Sequence, residues 1–177
     1  AEQLWVDSTQ RQHALAFFRR YLRAGDIVAD VGANIGDVAI VCARTVGPRG
    51  RVHAFEPHPR VFDWLKQNIN LNGLNNIQLT NAALGERDGV LDISNDRRDD
   101  MNRMLPGGGG ISVPVRRLDD LMEGTERIDL LKIDVEGFEL FVLRGAQQVL
   151  ARTRAVYVEV GAEHFRQFGY ACGDVFS

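Results

Sequence analysis

The sequence predicts an α/β protein with a Rossmann-like, mostly parallel sheet and helices on both faces. Three observations carry this expectation. Short apolar runs rich in β-branched residues recur along the 177 residues, as buried parallel strands do. They alternate with longer stretches of helical apolar spacing, the pattern of right-handed β-α-β crossovers. The strand ends also carry acids or amides: Asp30, Glu56, Asn81, Asp134 and Glu159. Ligands of such sheets bind outside the carboxyl ends of the strands.

Residues 8–24 read as a first helix, with Asp7 or Ser8 as N-cap and Gly25 after its end. Arg11, Arg19, Arg20 and Arg23 alternate there with Leu15, Phe18 and Leu22, the pattern of a solvated helix face. Residues 26–31 form the first strand. Gly32 lets the chain turn, Val38–Val41 continue as a buried helix, and Gly47-Pro48 stop it. Residues 51–56 are a second strand. Pro57 and Pro59 break it and start a helix with Val61, Phe62, Leu65 and Ile69 inward and Gly73 as C-cap. Residues 77–83 read as one strand, 85–89 as a turn, and 90–93 as a short strand pairing back through it. Asn95–Gly110 is a long glycine-rich loop, of the kind that serves as a lid. Residues 111–115, 129–134 and 155–160 are strands, and Phe138–Leu150 is one helix with a broad apolar face. The organisation is a helical segment over 1–24 followed by one domain over 25–177.

The run Asp30-Val31-Gly32-Ala33-Asn34-Ile35-Gly36 is the most informative stretch. Dinucleotide loops run G-x-G-x-x-G against a pyrophosphate. Here the middle glycine is absent and an acid precedes the first. An acid suits a cation better than a phosphate, which disfavours NAD and favours S-adenosyl-L-methionine, with its sulfonium and ammonium. Glu56 ends the next strand twenty positions after Gly36, where an acid accepts both ribose hydroxyls of an adenosine. The candidate cofactor residues are Asp30, Gly32, Ala33, Asn34, Gly36, Glu56, Pro57, Asn81 and Ala82.

A second centre is Lys132-Ile133-Asp134-Val135-Glu136-Gly137-Phe138-Glu139. Asp134 and Glu136 stand at a strand end near the cofactor loop. One acid can hold the donor's ammonium or orient a substrate hydroxyl, and the other can act on its proton. Asp134 also suits the N-cap of the next helix. Glu139 reads as an exposed helix charge. His164, after the last strand, is the remaining candidate base.

Composition narrows the class. A net charge of −3 argues against a large nucleic-acid footprint. Cys42 and Cys172 lack metal or redox spacing, and Cys42 reads as a small buried hydrophobe. Four scattered histidines form no metal pattern. No apolar run has membrane-spanning length and no signal peptide is visible, so a reducing, cytoplasmic setting is the default expectation.

Residues 30–36, Ala54-Phe55-Glu56-Pro57, Asn81-Ala82-Ala83-Leu84-Gly85, Arg117-Leu118-Asp119-Asp120-Leu121, residues 131–139 and Leu143-Arg144-Gly145-Ala146 resemble the FkbM-type methyltransferase family. The likeness runs from about Asp26 to Glu159 and is most specific over Lys132–Glu139. It implies a class I fold, S-adenosyl-L-methionine as cofactor, and O-methylation of a hydroxyl on a small-molecule, sugar or polyketide-type acceptor. A non-catalytic S-adenosylmethionine-binding module and a nucleic-acid methyltransferase stay as alternatives, although neither a basic groove nor an Asn/Asp-Pro-Pro-Tyr/Phe motif is present. The class also implies two further strands. Phe168–Ser177 has no room for that hairpin, which leaves a short sheet or a longer chain open.

Overall fold

The computed structural model describes residues 3–95, 105, 109–159 and 168–176. Its centre is a five-stranded, all-parallel sheet built from β1 (Ile27–Val31), β2 (Arg51–Phe55), β3 (Ile77–Thr80), β7 (Leu130–Ile133) and β8 (Val156–Val158), in the order β3-β2-β1-β7-β8. From β1 the chain builds outward first to β2 and β3, then crosses to β7 and β8. The strand order therefore reverses between β1 and β7, and this is where such sheets open a crevice for ligands.

Helices α1 (Gln3–Tyr21), α2 (Asp37–Val46) and α3 (Pro59–Leu71) cover one face, and α4 (Leu118–Leu121), α5 (Glu139–Arg144) and α6 (Gln147–Ala151) the other. Strand alternation splits the core accordingly. Phe18, Val28, Ala39, Val46, Val52 and Leu65 pack on the first side. Ala29, Val31, Leu131, Ile133, Val142 and Val149 pack on the second. Truncating one such residue to alanine costs about 2–5 kcal/mol. Cys42 is fully buried, as expected of a small hydrophobe.

Several elements depart from the sequence reading. Helix α1 starts before Asp7 and Ser8 and ends at Tyr21, because the Arg23 amide donates to the Asp26 carboxylate at 2.9 Å and the chain turns there. The expected strand over 77–83 is two strands. After β3 the chain leaves the main sheet, and β4 (Ala83–Leu84) joins a second sheet with β5 (Gly89–Ile93) and β6 (Ile111–Arg116). Asn81 marks the exit, with Nδ2 donating to the carbonyls of Glu56 (2.8 Å) and Pro57 (3.0 Å). Strand β5 does not pair back onto β4. Strand β6 lies between them, parallel to β4 and antiparallel to β5.

The single helix expected over 138–150 is broken into α5 and α6 at Gly145. A side chain on Gly145 would collide with the carbonyl of Gly85, so the helix turns where two backbones touch. The buried Asp119 then accepts the Val149 amide at 2.9 Å from across the fold, and α6 restarts on it. Most of the Asn95–Gly110 loop and all of 160–167, including His164, lie outside the described residues. No described helix is long and apolar enough to cross a membrane.

Candidate functional site

Two loops leave the carboxyl edge side by side, one from β1 and one from β7. Gly32 opens the first with φ +75, and a Cβ there would strike the Asp134 carbonyl of the second. Only glycine meets both demands. The peptide between Gly32 and Ala33 is held at both ends. Its N–H donates to the Phe55 carbonyl at 3.0 Å, and its carbonyl accepts from the Lys132 ammonium at 2.8 Å. Asn34 is also left-handed (φ 49), which asparagine tolerates better than most residues. Gly36 (φ 95) begins α2, and a side chain there would press on Leu65.

Glu56 sits beneath this loop, 7% exposed. Its Oε2 accepts the Asn34 amide at 3.0 Å and its Oε1 accepts the His58 amide at 2.9 Å. Burial pushes its carboxyl up to about 7, against the pull of those two amides. Each oxygen retains a second acceptor position. Pro57 and Asn81 border the same edge, and Ala82 is buried behind it.

Asp30 is placed differently from the open acid at a loop mouth. It is fully buried, and the cation it meets is Lys132, whose Nζ lies 3.1 Å from Oδ1. That contact is an ion pair off the hydrogen-bond angle, and Oδ2 has no hydrogen-bond partner among the described residues. The register explains the meeting, since Asp30 and Lys132 are direct partners on β1 and β7. Burial by itself would lower the Lys132 ammonium, but the carboxylates of Asp30 and Asp134 outweigh it and hold it above its ordinary value. The lysine therefore stays charged. A single charged residue inside Leu130-Leu131-Lys132-Ile133 was the available signal, because a buried lysine requires an acid nearby.

Asp134 follows β7 with its side chain 34% exposed and its Oδ2 3.5 Å from Lys132. Glu136 is left-handed (φ 52), a strained conformation for glutamate. Glu139 reverses the sequence expectation. It is 2% exposed, and Oε1 accepts the amides of Gly137 (3.0 Å) and Val135 (3.4 Å). Tyr170 donates to its Oε2 (3.2 Å) and to the Gly137 carbonyl (2.6 Å). Glu139 is thus the clasp of the second loop rather than a surface charge. Between the glycines of the first loop, Ala33 is buried and Ile35 is exposed. No cluster of metal-ligating side chains exists among the described residues.

Residues 30–177 match the family model described as Methyltransferase FkbM domain. The chain is similar to 2-O-methyltransferase NoeI of Sinorhizobium fredii, 31% identical over 154 residues, covering 75% of this chain and 62% of that protein. It is similar to hexuronic acid methyltransferase AglP of Haloferax volcanii, 28% identical over 172 residues, covering 91% of this chain and 67% of that one. The crystal structure of methyltransferase FkbM from Methylobacillus flagellatus shares the fold with a TM-score of 0.58 at 21% identity, over 80% of this chain and 33% of that one. The chain thus spans about three fifths to two thirds of these curated relatives.

Proposed function

The chain belongs to the FkbM methyltransferase family, and from that premise we propose that it is an S-adenosylmethionine-dependent O-methyltransferase acting on a hydroxyl of a sugar-like or related small molecule. The observation that carries this reading is the Gly32–Gly36 loop standing over Glu56. A left-handed glycine turn packed directly against the Asp134 backbone, beside a buried acid with acceptor positions to spare, fits an adenosine bearing no phosphate. The names of two relatives support the acceptor class: one is a 2-O-methyltransferase, the other a hexuronic acid methyltransferase.

When bound, S-adenosylmethionine supplies a methyl group activated by a sulfonium. The chain's own work is placement. The Gly32–Gly36 backbone and Glu56 hold the adenosine side, with Pro57, Asn81 and Ala82 along its border. Asp134, half open at the adjoining strand end, accepts the hydroxyl proton or aims the hydroxyl oxygen. Glu136 and His164 are the other candidates on the acceptor side. Bringing two reactants into line supplies much of the acceleration in such transfers.

Calorimetry tests the cofactor. S-adenosylmethionine and its demethylated product should bind, and NAD should bind far more weakly. Tighter NAD binding overturns the reading. With an acceptor found by screening sugar, polyketide and lipid hydroxyls, Asp134→Asn should lower turnover about a hundredfold, the low end for a lost acid–base group, while cofactor affinity persists.

A further inference from the structure

The Lys132 side chain reaches both loops. Its ammonium donates to the Gly32 carbonyl at 2.8 Å, stands 3.1 Å from Asp30 and lies 3.5 Å from Asp134. The first contact fixes the peptide whose N–H is anchored on Phe55, and so sets the path of the chain into Asn34 and its amide's approach to Glu56. The last contact reaches the half-open carboxylate on the acceptor side. A buried ion pair between Lys132 and Asp30 is a poor device for stability alone, because apolar residues of similar size commonly do as well or better.

We propose that Lys132 is a positioning residue that ties the cofactor loop to the acceptor-side acid, so that the Gly32 peptide and the Asp134 carboxylate keep one fixed relation. The proposal rests on the reading of this site as an S-adenosylmethionine site. The bland account is that Lys132 only neutralises Asp30. The two accounts part company in a double variant.

Lys132→Met alone strands a buried Asp30 and should lower Tm sharply. Lys132→Met combined with Asp30→Asn removes both charges and should recover most of that loss. If Lys132 only neutralises Asp30, affinity for the demethylated cofactor product should recover as well. If it positions the loop, the double variant should still bind that product about tenfold more weakly than the wild type, a loss of about 1.4 kcal/mol. Titrations run well below each transition read the folded protein, so a lowered Tm does not enter the comparison. Lys132→Arg keeps a cation against Asp30 but moves the donor, and it should lie between the wild type and the double variant. Wild-type affinity in the double variant overturns the positioning role and leaves the cofactor reading intact. A wild-type protein that binds neither the cofactor nor its product overturns both.

Discussion

The two loops at the carboxyl edge are built on one plan and used differently. Each pairs a left-handed non-glycine residue with left-handed glycine: Asn34 with Gly32 and Gly36, Glu136 with Gly137. Each is closed by a buried glutamate that accepts two backbone amides, Glu56 in the first and Glu139 in the second. The reach of the clasp differs. Glu56 follows the neighbouring strand and, besides the local His58 amide, holds the Asn34 amide 22 residues away, whereas Glu139 holds amides two and four residues away. The acids at the strand ends differ too. Asp30 is sealed under the first loop, and Asp134 is half open at the second. In the proposed reading the first loop offers backbone to a ligand, and the second offers a side chain. A long-range clasp suits a rigid cradle for a fixed cofactor. A local clasp lets the second loop keep its own shape while Asp134 stays half open, the carboxylate proposed to face the acceptor.

The largest expected effect comes where the loops touch. Gly32→Ala combines a left-handed φ with a collision against the Asp134 carbonyl, and should destabilise the protein by more than about 3 kcal/mol. Gly73→Ala is the matched control. Gly73 is also left-handed (φ 63) but has open space where a Cβ would go, so only the conformational cost of about 1–2 kcal/mol remains. Urea unfolding of the two variants measures the difference. Equal losses would mean that the loops do not depend on each other's backbone.

The next effect separates the clasps by pH. Below pH 4.5 Glu56 is protonated in both folded and unfolded chains; between 4.5 and about 7 only the folded chain holds the proton. Stability therefore falls as pH rises across that window, and the Glu56 contribution, about 3 kcal/mol, is lost by the time pH passes 7. Glu56→Gln should remove this slope, seen in unfolding curves taken from pH 4 to 8. A slope that survives in the variant would place its origin in another group.

What the sequence showed of these loops follows from where their constraints lie. Gly32, Gly36 and Glu56 were legible because a tight turn after a β-branched run and an acid at the next strand end are local patterns. The burial of Glu139 was not, since its partners Val135 and Gly137 become partners only when the loop turns left-handed at Glu136. Lys132 stood in plain view within an apolar strand, but its meaning depends on the register that sets it beside Asp30. The break at Gly145 was hidden for the same reason: the carbonyl it avoids belongs to Gly85, sixty residues earlier. Hydrophobic periodicity likewise continues through Asn81, where the chain changes sheets. Local chemistry was readable and contacts between distant backbones were not.

The smallest effect tests the strain that distinguishes the second loop. Asparagine at φ 49 is a tolerated choice, whereas glutamate at φ 52 is not. A left-handed residue that is not glycine costs about 1–2 kcal/mol, and Glu136 keeps that cost in a loop whose clasp is local. Glu136→Gly relieves it, less the added freedom of glycine in the unfolded chain. The net expectation is a gain of at most about 1 kcal/mol. If Glu136 serves the acceptor, methyl transfer should fall in the same variant while cofactor affinity holds, so stability and turnover move in opposite directions. If turnover is unchanged, the strain belongs to the turn that brings the Gly137 amide onto Glu139, and the acceptor side rests on Asp134. A fall in stability would show instead that the Glu136 side chain contributes more to the loop than its backbone costs.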